Sequence, residues 1–523
     1  MPRFLLIAPR PHWDADFAGI ADGRESVTRV APVAIATVAA MAPPGVEVVL
    51  HDEALDPIDY DAPADFVGIT ANVSQARRAI EIAAGFRARG ATVVIGGPHI
   101  TLDPEAFTGA CDVAVTGEFE EIADGFYADM LSGALKPRYA GGRPDLTLSP
   151  VPAWELFDND RALVGVVQTS RGCPFECNYC DVIQYLGRNQ RHKCNEQVIA
   201  EVQRLYDLGY NRIALADDNF TVYRKRATAL LEALVGWNGA EGRDFVTFAT
   251  QVSIDVARDD DMLRLCAEAG VNNLFIGVES VNEESLKASK KRQNLNTDMV
   301  GQVRKVVSHG LKVEAALMVG FDADTLRIFE QQEAFGMELP VGTFKISSLV
   351  APMATPIYAE MLAAGRLDLT GDQAHFPGAD MVTNIIPAQM SKQELYVGTK
   401  WLISRLYRPD AFIARLAEIA RVLGPNPLLQ RGSGRLHNPP GRRRANQLFL
   451  AMIQSLARRD REVAAAISDA RRLMRANPEI RDGLSDVLTT WLLALYGHME
   501  KGAYDAEWAR LPAPPFEDRR TAA

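Results

Sequence analysis

Residues 164–180 read VGVVQTSRGCPFECNYC, an apolar run that leads straight into three cysteines. The run Val164–Thr169 fits a buried strand. Cys173, Cys177 and Cys180 follow it with the spacing C-x3-C-x2-C. Three thiolates on one short loop can hold three irons of a four-iron cluster, whereas four thiolates would close the cluster. The spacing therefore predicts a cluster with one iron open to a further ligand.

Zinc is the alternative occupant of these cysteines. A structural zinc site needs four ligands, and no matching second cysteine pair follows the three. His192 and Cys194 lie near enough in sequence to supply ligands, so the zinc alternative stays open. Cys111 and Cys266 are interpreted as small apolar side chains of the core, the usual role of a free cysteine.

The strand before the cysteines opens a series of strand and helix units through residues 161–360. Apolar runs alternate with helical patterns such as Glu196–Tyr206, and six such units predict an open partial (β/α)6 barrel. The predicted strands are Val164–Thr169, Arg212–Ala216, Phe245–Gln251, Asn273–Val278, Lys312–Val319 and Thr343–Leu349. Polar residues follow these strands, at the edge where barrels carry their chemistry. They include Asp217, Asp218, Asn219, Gln251, Glu279, Ser280, Asp322, Ser347 and Ser348.

Residues 1–135 show a second alternating pattern with shorter units. The helical segment Gln75–Arg89 lies between two apolar runs, which predicts a doubly wound parallel sheet. Its predicted strands are Phe4–Ile7, Val46–Leu50, Phe66–Ile69, Val93–Ile95 and Val113–Val115. Such sheets bind ligands beyond the carboxyl ends of their strands, where Gly96 and Gly97 would let the backbone approach a ligand. A tight turn between strand and helix is the alternative role for this glycine pair.

The remaining segments complete the predicted domain order. A proline- and glycine-containing linker spans 136–160, and a mostly helical C-terminal extension spans 361–510 before a tail at 511–523. Gln393–Leu406 and Ala445–Ala457 are its clearer helices. The basic loop Arg431–Arg444 is interpreted as a solvated surface loop, with anion binding as the alternative.

Composition narrows the class of protein. The 523 residues carry 56 Lys and Arg against 67 Asp and Glu, a formal net charge of −11. This acidic balance argues against nucleic-acid partners and anionic membrane surfaces. No apolar run reaches the 18 residues of a transmembrane helix, and the first apolar stretch is too short for a secretory signal. We expect a soluble, cytoplasmic protein.

The motifs together carry a family resemblance. The C-x3-C-x2-C spacing, with Tyr179 before the last cysteine, resembles the radical S-adenosylmethionine superfamily. ADDNF (216–220), FIGVES (275–280) and MVGFD (318–322) resemble strand-end motifs of that superfamily. FVGIT (66–70), GGPH (96–99) and VTGEFEE (115–121) resemble the cobalamin-binding domain often fused in front of such barrels. TNIIPAQMSKQEL (383–395) is similar to the helical extension of a cobalamin-dependent subgroup that includes hopanoid methylases.

The resemblance implies three cofactors and the residues that hold them. Cys173, Cys177 and Cys180 would carry a 4Fe-4S cluster whose open iron binds S-adenosylmethionine. The residues implied to bind S-adenosylmethionine are Asp218, Asn219, Glu279, Ser280 and Gly320. The residues implied to bind cobalamin are Thr70, Asn72, Val73, Ser74, Gly96, Gly97, Pro98, His99, Gly117 and Glu118. For the strand-end residues of the barrel, a helix cap or a turn is the alternative role.

One departure from ordinary cobalamin domains bears on the cobalt. The chain lacks the Asp-x-His-x-x-Gly motif whose histidine binds cobalt in mutases and methionine synthase. The resembled subgroup leaves cobalt without a protein imidazole. His99 is therefore expected to contact the edge of the corrin, and residues 72–74 to lie beneath it.

The activity implied by the resemblance is methylation of an unactivated carbon on a small-molecule, terpenoid or lipid-like substrate. A cobalamin-assisted radical cyclisation or rearrangement is the alternative within enzymes, and a cobalamin-binding redox or light sensor is the alternative of another class. An external electron donor such as a flavodoxin or ferredoxin is implied as a partner. Trp401, Leu402, Leu406 and Tyr407 lie at helical spacing and either line a substrate groove or belong to the core. No catalytic side chain is identified.

Overall fold

A computed structural model describes residues 1–11, 26–370, 381–430, 436–437 and 443–516. The predicted basic loop Arg431–Arg444 lies almost wholly outside the described residues, as does 517–523 of the predicted tail. The strands are β1 Arg3–Ala8, β2 Thr28–Val30, β3 Glu47–Asp52, β4 Phe66–Thr70, β5 Thr92–Gly96, β6 Val113–Thr116, β7 Arg138–Ala140, β8 Ala162–Val167, β9 Ser170–Arg171, β10 Arg191–His192, β11 Arg212–Leu215, β12 Thr247–Val252, β13 Val271–Glu279, β14 Lys312–Val319 and β15 Thr343–Ser348.

The α-helices alternate with these strands and then continue alone. They are α1 Val33–Ala40, α2 Ala76–Arg87, α3 Pro98–Leu102, α4 Ala123–Ser132, α5 Val182–Tyr185, α6 Asn195–Asp207, α7 Arg224–Asn238, α8 Asp260–Ala269, α9 Glu283–Ala288, α10 Met299–Ser308, α11 Ile328–Glu338, α12 Pro356–Ala363, α13 Lys392–Tyr407, α14 Pro409–Val422, α15 Pro427–Gln430, α16 Arg443–Arg459, α17 Arg461–Ala476 and α18 Arg481–Glu500. Within the described parts, no helix combines the length and the apolar composition that a membrane span requires.

The first sheet is parallel, with the strand order β3-β1-β4-β5-β6-β7 among the described residues. Both of its faces are covered, because separate buried clusters pack on either side. The predicted doubly wound class is confirmed. The sheet also has a sixth strand, β7, inside the segment 136–160 that the sequence suggested as a linker. Three residues after Pro137 are too few to show an alternating pattern.

The second sheet curls into a partial barrel with the order β15-β14-β13-β12-β11-β8-β2 in the described chain. All six predicted strands are present, and β2 adds a seventh by pairing parallel to β8. In β14 buried and half-buried residues alternate along the whole strand. Val313 and Leu317 pack into the main core, so the half-buried Lys312 and Met318 face the concave side.

The C-terminal extension is helical, as predicted, and it packs on the barrel. Helix α13 begins with a capping box in which the Ser391 hydroxyl and the Glu394 carboxylate each accept a backbone N–H. Its apolar stripe is core material, since Trp401 and Tyr407 are each 1% exposed and belong to the main cluster. A groove on this stripe is therefore ruled out.

Candidate active site between the two sheets

The three cysteines lie on the loop that follows β8, folded back by the short β9–β10 pairing. Gly172 precedes the first cysteine with φ of +101°, and a Cβ there would come within 2.8 Å of the Asn189 carbonyl oxygen. Only glycine fits this position. The amide of Cys180 donates to the carbonyl of Cys177 at 3.2 Å, which closes a turn between the last two cysteines.

The donor set fits an iron–sulfur cluster better than a single ion. In the described part of the chain, no three His, Cys, Asp or Glu side chains converge on one point as a mononuclear ion requires. His192 packs edge-on against Tyr223, and Cys194 is exposed at the start of α6. Burial raises the pKa of Cys180 to about 12, so iron must displace a proton from this thiol to bind it.

Asp217 fixes the start of the cysteine loop. Its carboxylate accepts hydrogen bonds from the amide and hydroxyl of Thr169 at 3.0 and 2.6 Å. It accepts two more from the amide and hydroxyl of Ser170, at 2.6 and 3.0 Å. These four bonds use the acceptor capacity of the buried carboxylate, so Asp217 positions the loop instead of facing a ligand.

Asp218 and Asn219 offer acceptors close to the cysteines. Asp218 accepts from the amide of Gly172 at 2.7 Å, and burial raises the pKa of its carboxyl to about 6. The amide nitrogen of Asn219 donates to the Ser253 hydroxyl at 2.7 Å. No described residue donates to the buried Oδ1 of Asn219. An orphaned buried acceptor of this kind suits an ammonium or hydroxyl group of a ligand.

Glu279 forms an ion pair beside the cluster loop. Lys291 Nζ lies 2.7 Å from its carboxylate; the Glu279 side chain is buried and that of Lys291 is partly buried. Glu279 has φ of +69° at a bulge in β13, a strained conformation for a residue with a side chain. A Cβ on Gly277 would come within 2.7 Å of Lys291 Nζ, so glycine makes room for the pair. Burial opposes the charge on Lys291, but Glu279 and the nearby thiols raise its pKa on balance.

Ser280 and Gly320 take part in turns at their strand ends. The Ser280 hydroxyl accepts from the amide of Asn282 at 3.1 Å. Gly320 has φ of +97° and donates its amide to Asp324 at 3.0 Å. A Cβ on Gly320 would meet Leu395 of α13 at 2.9 Å, so the close approach at this glycine is to a helix of the C-terminal extension.

A cavity of about 330 Å³ lies between the carboxyl edge of the first sheet and the cysteine loop. This volume is at the low end of the range for small-molecule sites. The residues predicted for cobalamin that line it are Thr70, Gly96, Gly97, Pro98, Gly117 and Glu118. The barrel side contributes Gln168, Arg171, Tyr185, Leu186 and Asp218. Phe4, Val94 and Phe126 form its apolar inner wall.

The glycine loops of this cavity are built for close backbone approach. Gly97 has φ of +109°, and a Cβ there would come within 2.9 Å of the backbone of Ala71. The other predicted cobalamin residues do not line the cavity in the described structure. Asn72 accepts from the amide of Ser74 at 2.9 Å in a turn before α2, and Val73 lies between them. The His99 ring is buried and packs edge to face against Phe107, with 5.8 Å between the ring centroids.

Two arginines that the sequence did not single out join the sheets at this cavity. Arg171 lies 2.6 Å from Glu118 and 2.7 Å from Glu120. Arg191 donates to Glu118 at 2.9 Å. Burial would raise the pKa of Glu120, but Arg171 outweighs it and the pKa falls. Arg171 stands two residues before Cys173, and this closeness to the cysteine motif could have marked it as a site residue. Nothing in the local sequence distinguishes Arg191.

Comparisons with known proteins agree with this geometry. Residues 167–331 match the model of the radical SAM superfamily. The hopanoid C-2 methylase of Rhodopseudomonas palustris (strain TIE-1) is 29% identical over 329 residues, 62% of this chain and 60% of that protein. The chain thus spans about three fifths of that relative's length. The bacteriochlorophyllide d C-8(2)-methyltransferase of Chlorobaculum tepidum is 29% identical over 74% of this chain and 90% of that protein.

A solved structure shares the fold over nearly the whole chain. It is the cobalamin-dependent S-adenosylmethionine radical enzyme OxsB with aqua-cobalamin bound. The TM-score is 0.59 at 15% identity, over 96% of this chain and 84% of that one. The fold of two sheets followed by helices is therefore shared with that enzyme.

Proposed function

We propose that the radical S-adenosylmethionine domain at residues 167–331 works with cobalamin to methylate an unactivated carbon of a small-molecule or lipid-like substrate. The observation that carries this proposal is the cavity whose walls come from both sheets. Its glycine loops belong to the edge expected to hold cobalamin, and its opposite wall is the cysteine loop. A ligand in it would lie directly against the loop that carries the cluster.

Different residues of the chain would hold the cluster and S-adenosylmethionine. When bound, the cluster supplies an electron that cleaves S-adenosylmethionine, and cobalamin supplies a carrier for the methyl group. Cys173, Cys177 and Cys180 would hold the cluster. Asp218 and the orphaned Oδ1 of Asn219 would accept from the ammonium and hydroxyl groups of S-adenosylmethionine.

Side chains next to the cluster loop and the cavity set the local charge, the access of water and the contact between the two sheets. Lys291 carries a positive charge close to the cysteine thiols, but Glu279 pairs with it, so the pair as a whole adds no net charge beside a cluster held by three thiolates. The side chains of Phe4, Val94 and Phe126 offer water no hydrogen-bonding partner on their side of the cavity. Arg171 keeps the cysteine loop attached to Glu118 of the other sheet, so the two cofactor sites stay in register.

The relatives support methylation as the outcome. Two of them are named for methylating carbon positions of a hopanoid and of a bacteriochlorophyllide, and their sequences match 62% and 74% of this chain. We therefore propose a polycyclic, largely apolar substrate. An external flavodoxin or ferredoxin would deliver the electrons.

The test is a labelled turnover with anaerobically reconstituted protein. S-adenosylmethionine carrying a deuterated methyl group is supplied with hopanoid and bacteriochlorophyllide candidates, and products are analysed by mass spectrometry. We expect 5′-deoxyadenosine together with a product heavier by one labelled methyl group. Cys177→Ala should form neither, while Cys266→Ala, a buried cysteine in α8, should form both.

Other outcomes of this turnover would overturn the proposal. A product that is cyclised or rearranged without label would establish the alternative radical reaction. Cobalamin binding without any cleavage of S-adenosylmethionine would favour the sensor.

A further inference from the structure

A second cavity, of about 490 Å³, lies at the opposite end of the barrel, below the amino-terminal ends of the strands. Arg212 of β11, Lys312 of β14 and Arg29 of β2 line it. Helix α18 contributes Asp486 and Thr490 from the C-terminal extension. The cavity is thus shared between the barrel and the C-terminal extension. The proposed function assigns no role to either the cavity or the extension.

The charges around this cavity do not cancel. Asp486 lies 2.6 Å from Arg212 and 2.5 Å from Lys312. The Glu314 carboxylate accepts from the side-chain amide nitrogen of Asn273 at 2.6 Å. Arg29 is exposed at the rim, and no described residue forms a hydrogen bond or an ion pair with its side chain. Three cationic side chains therefore face two carboxylates, which leaves an excess of one positive charge.

The wall above the charges is small and apolar. Ala214 and Ala249 line the cavity, and Ala316 follows on the same concave face of β14. Met318, near the cysteine end of that strand, is six positions after Lys312. At roughly 3.3 Å per residue this is about 20 Å. A molecule that reached from the charged floor to the cluster would need an apolar body of that length.

We infer that the floor cavity binds the anionic end of an elongated apolar substrate, a terminal carboxylate or phosphate. The apolar body lies along the alanine wall, and the carbon to be methylated lies near the cysteine loop. Arg29 supplies the cation with which no described side chain pairs. Asp486 competes with the ligand for Arg212 and Lys312, which tunes the affinity. This inference rests on the proposed function, because the ligand it describes is the substrate.

Isothermal titration of the reconstituted protein with three molecules of one apolar body tests the inference. Farnesol carries a neutral end, farnesoate a carboxylate and farnesyl phosphate a phosphate. We expect at least one anion to bind about tenfold more tightly than farnesol. A carboxylate preference and a phosphate preference identify the two possible substrate ends. Equal binding of all three molecules overturns the inference.

Two variants with opposite effects sharpen the test. Arg29→Gln should weaken binding of the preferred anion about threefold and leave farnesol unchanged. Asp486→Asn should tighten it, because Arg212 and Lys312 lose their counter-ion. Arg138→Gln is the matched control, an exposed arginine on the three-residue edge strand β7, and should change nothing. If Asp486→Asn fails to fold, Arg29→Gln still decides, since an unchanged anion affinity contradicts the inference.

The inference and the proposed function fail in distinguishable ways. Cleavage of S-adenosylmethionine is measured in the same preparations. Cleavage without any anion preference refutes the floor site and leaves the proposed function standing. Anion preference lost in Arg29→Gln, in protein that never cleaves S-adenosylmethionine, supports the floor site and counts against the radical chemistry.

Discussion

The two ends of the barrel each use a carboxylate with several partners, buried at the upper end and half-buried at the lower end, and they use it for different purposes. Asp217 at the upper end accepts four hydrogen bonds from Thr169 and Ser170, which lie on the neighbouring strand end. Asp486 at the lower end comes from a distant helix and pairs with two cations of the barrel. The first fixes the local path of a loop, and the second fixes one region of the chain onto another.

The largest effect is expected at the upper end. Asp217→Ala leaves the donors of Thr169 and Ser170 buried without an acceptor, which costs about 3 kcal/mol or more of unfolding free energy. The cysteine loop loses its anchor, so we expect little iron to be retained per chain while helical circular dichroism persists. Iron and sulfide analysis gives the answer. Asp217→Asn, which keeps one oxygen acceptor, should retain more iron than Asp217→Ala. Full iron retention in Asp217→Ala would contradict the anchoring role of this carboxylate.

A smaller effect of another kind is expected at the lower end. Asp486→Asn should lower the unfolding free energy by about 2 kcal/mol near neutral pH, discounted because Arg212 is partly exposed. Iron content should stay unchanged. Chemical denaturation followed by fluorescence measures the loss. Iron loss equal to that of Asp217→Ala would show that the two carboxylates are not separate in function.

The pH dependence of this second loss has a defined sign. Burial would raise the pKa of Asp486, but Lys312 and Arg212 lower it to about 2. A carboxylate with a depressed pKa stabilises the fold above its usual pKa, and this contribution is lost as the pH falls toward 2. The difference between parent and Asp486→Asn should therefore vanish between about pH 4 and pH 2. A difference that persists there would contradict the ion-pair account.

The smallest expected effect is a pH dependence of S-adenosylmethionine binding that arises from Asp218. Burial raises the pKa of its carboxyl to about 6, so the group is ionised at pH 7 and mostly protonated at pH 5. Because the ionised carboxylate accepts from an ammonium group far more strongly than the neutral acid does, the affinity for S-adenosylmethionine should fall about tenfold over that range. Equilibrium dialysis measures this slope. Asp218→Asn should show no such slope, and a slope equal to that of the parent would remove Asp218 from the site.

Local patterns accounted for most of the fold. The alternation along β14 and the apolar run of β4 specify strands whatever lies around them. The cysteine spacing likewise identified the loop. Strands β2 and β7 were not predicted, because a segment of three residues is too short to show the two-residue alternation of a strand.

The missed features of the site arise from pairs distant in sequence. Glu118 and Arg191 are 73 residues apart, and Arg212 and Asp486 are 274 apart. No local pattern encodes such a pairing. The family resemblance assigned His99 and Asn72 to cobalamin. In the described structure His99 packs against Phe107 and Asn72 accepts a hydrogen bond in the turn before α2, and their role toward cobalamin stays a prediction.

Electron paramagnetic resonance of the anaerobically reconstituted protein tests the central claim, that both cofactors border one cavity. The protein is loaded with cobalamin in its cob(II)alamin state, and spectra are recorded before and after reduction of the cluster. We predict that the reduced cluster broadens the cob(II)alamin signal and speeds its relaxation, and that Cys177→Ala abolishes both changes. A cob(II)alamin signal that is identical with the cluster oxidised and reduced would contradict the account.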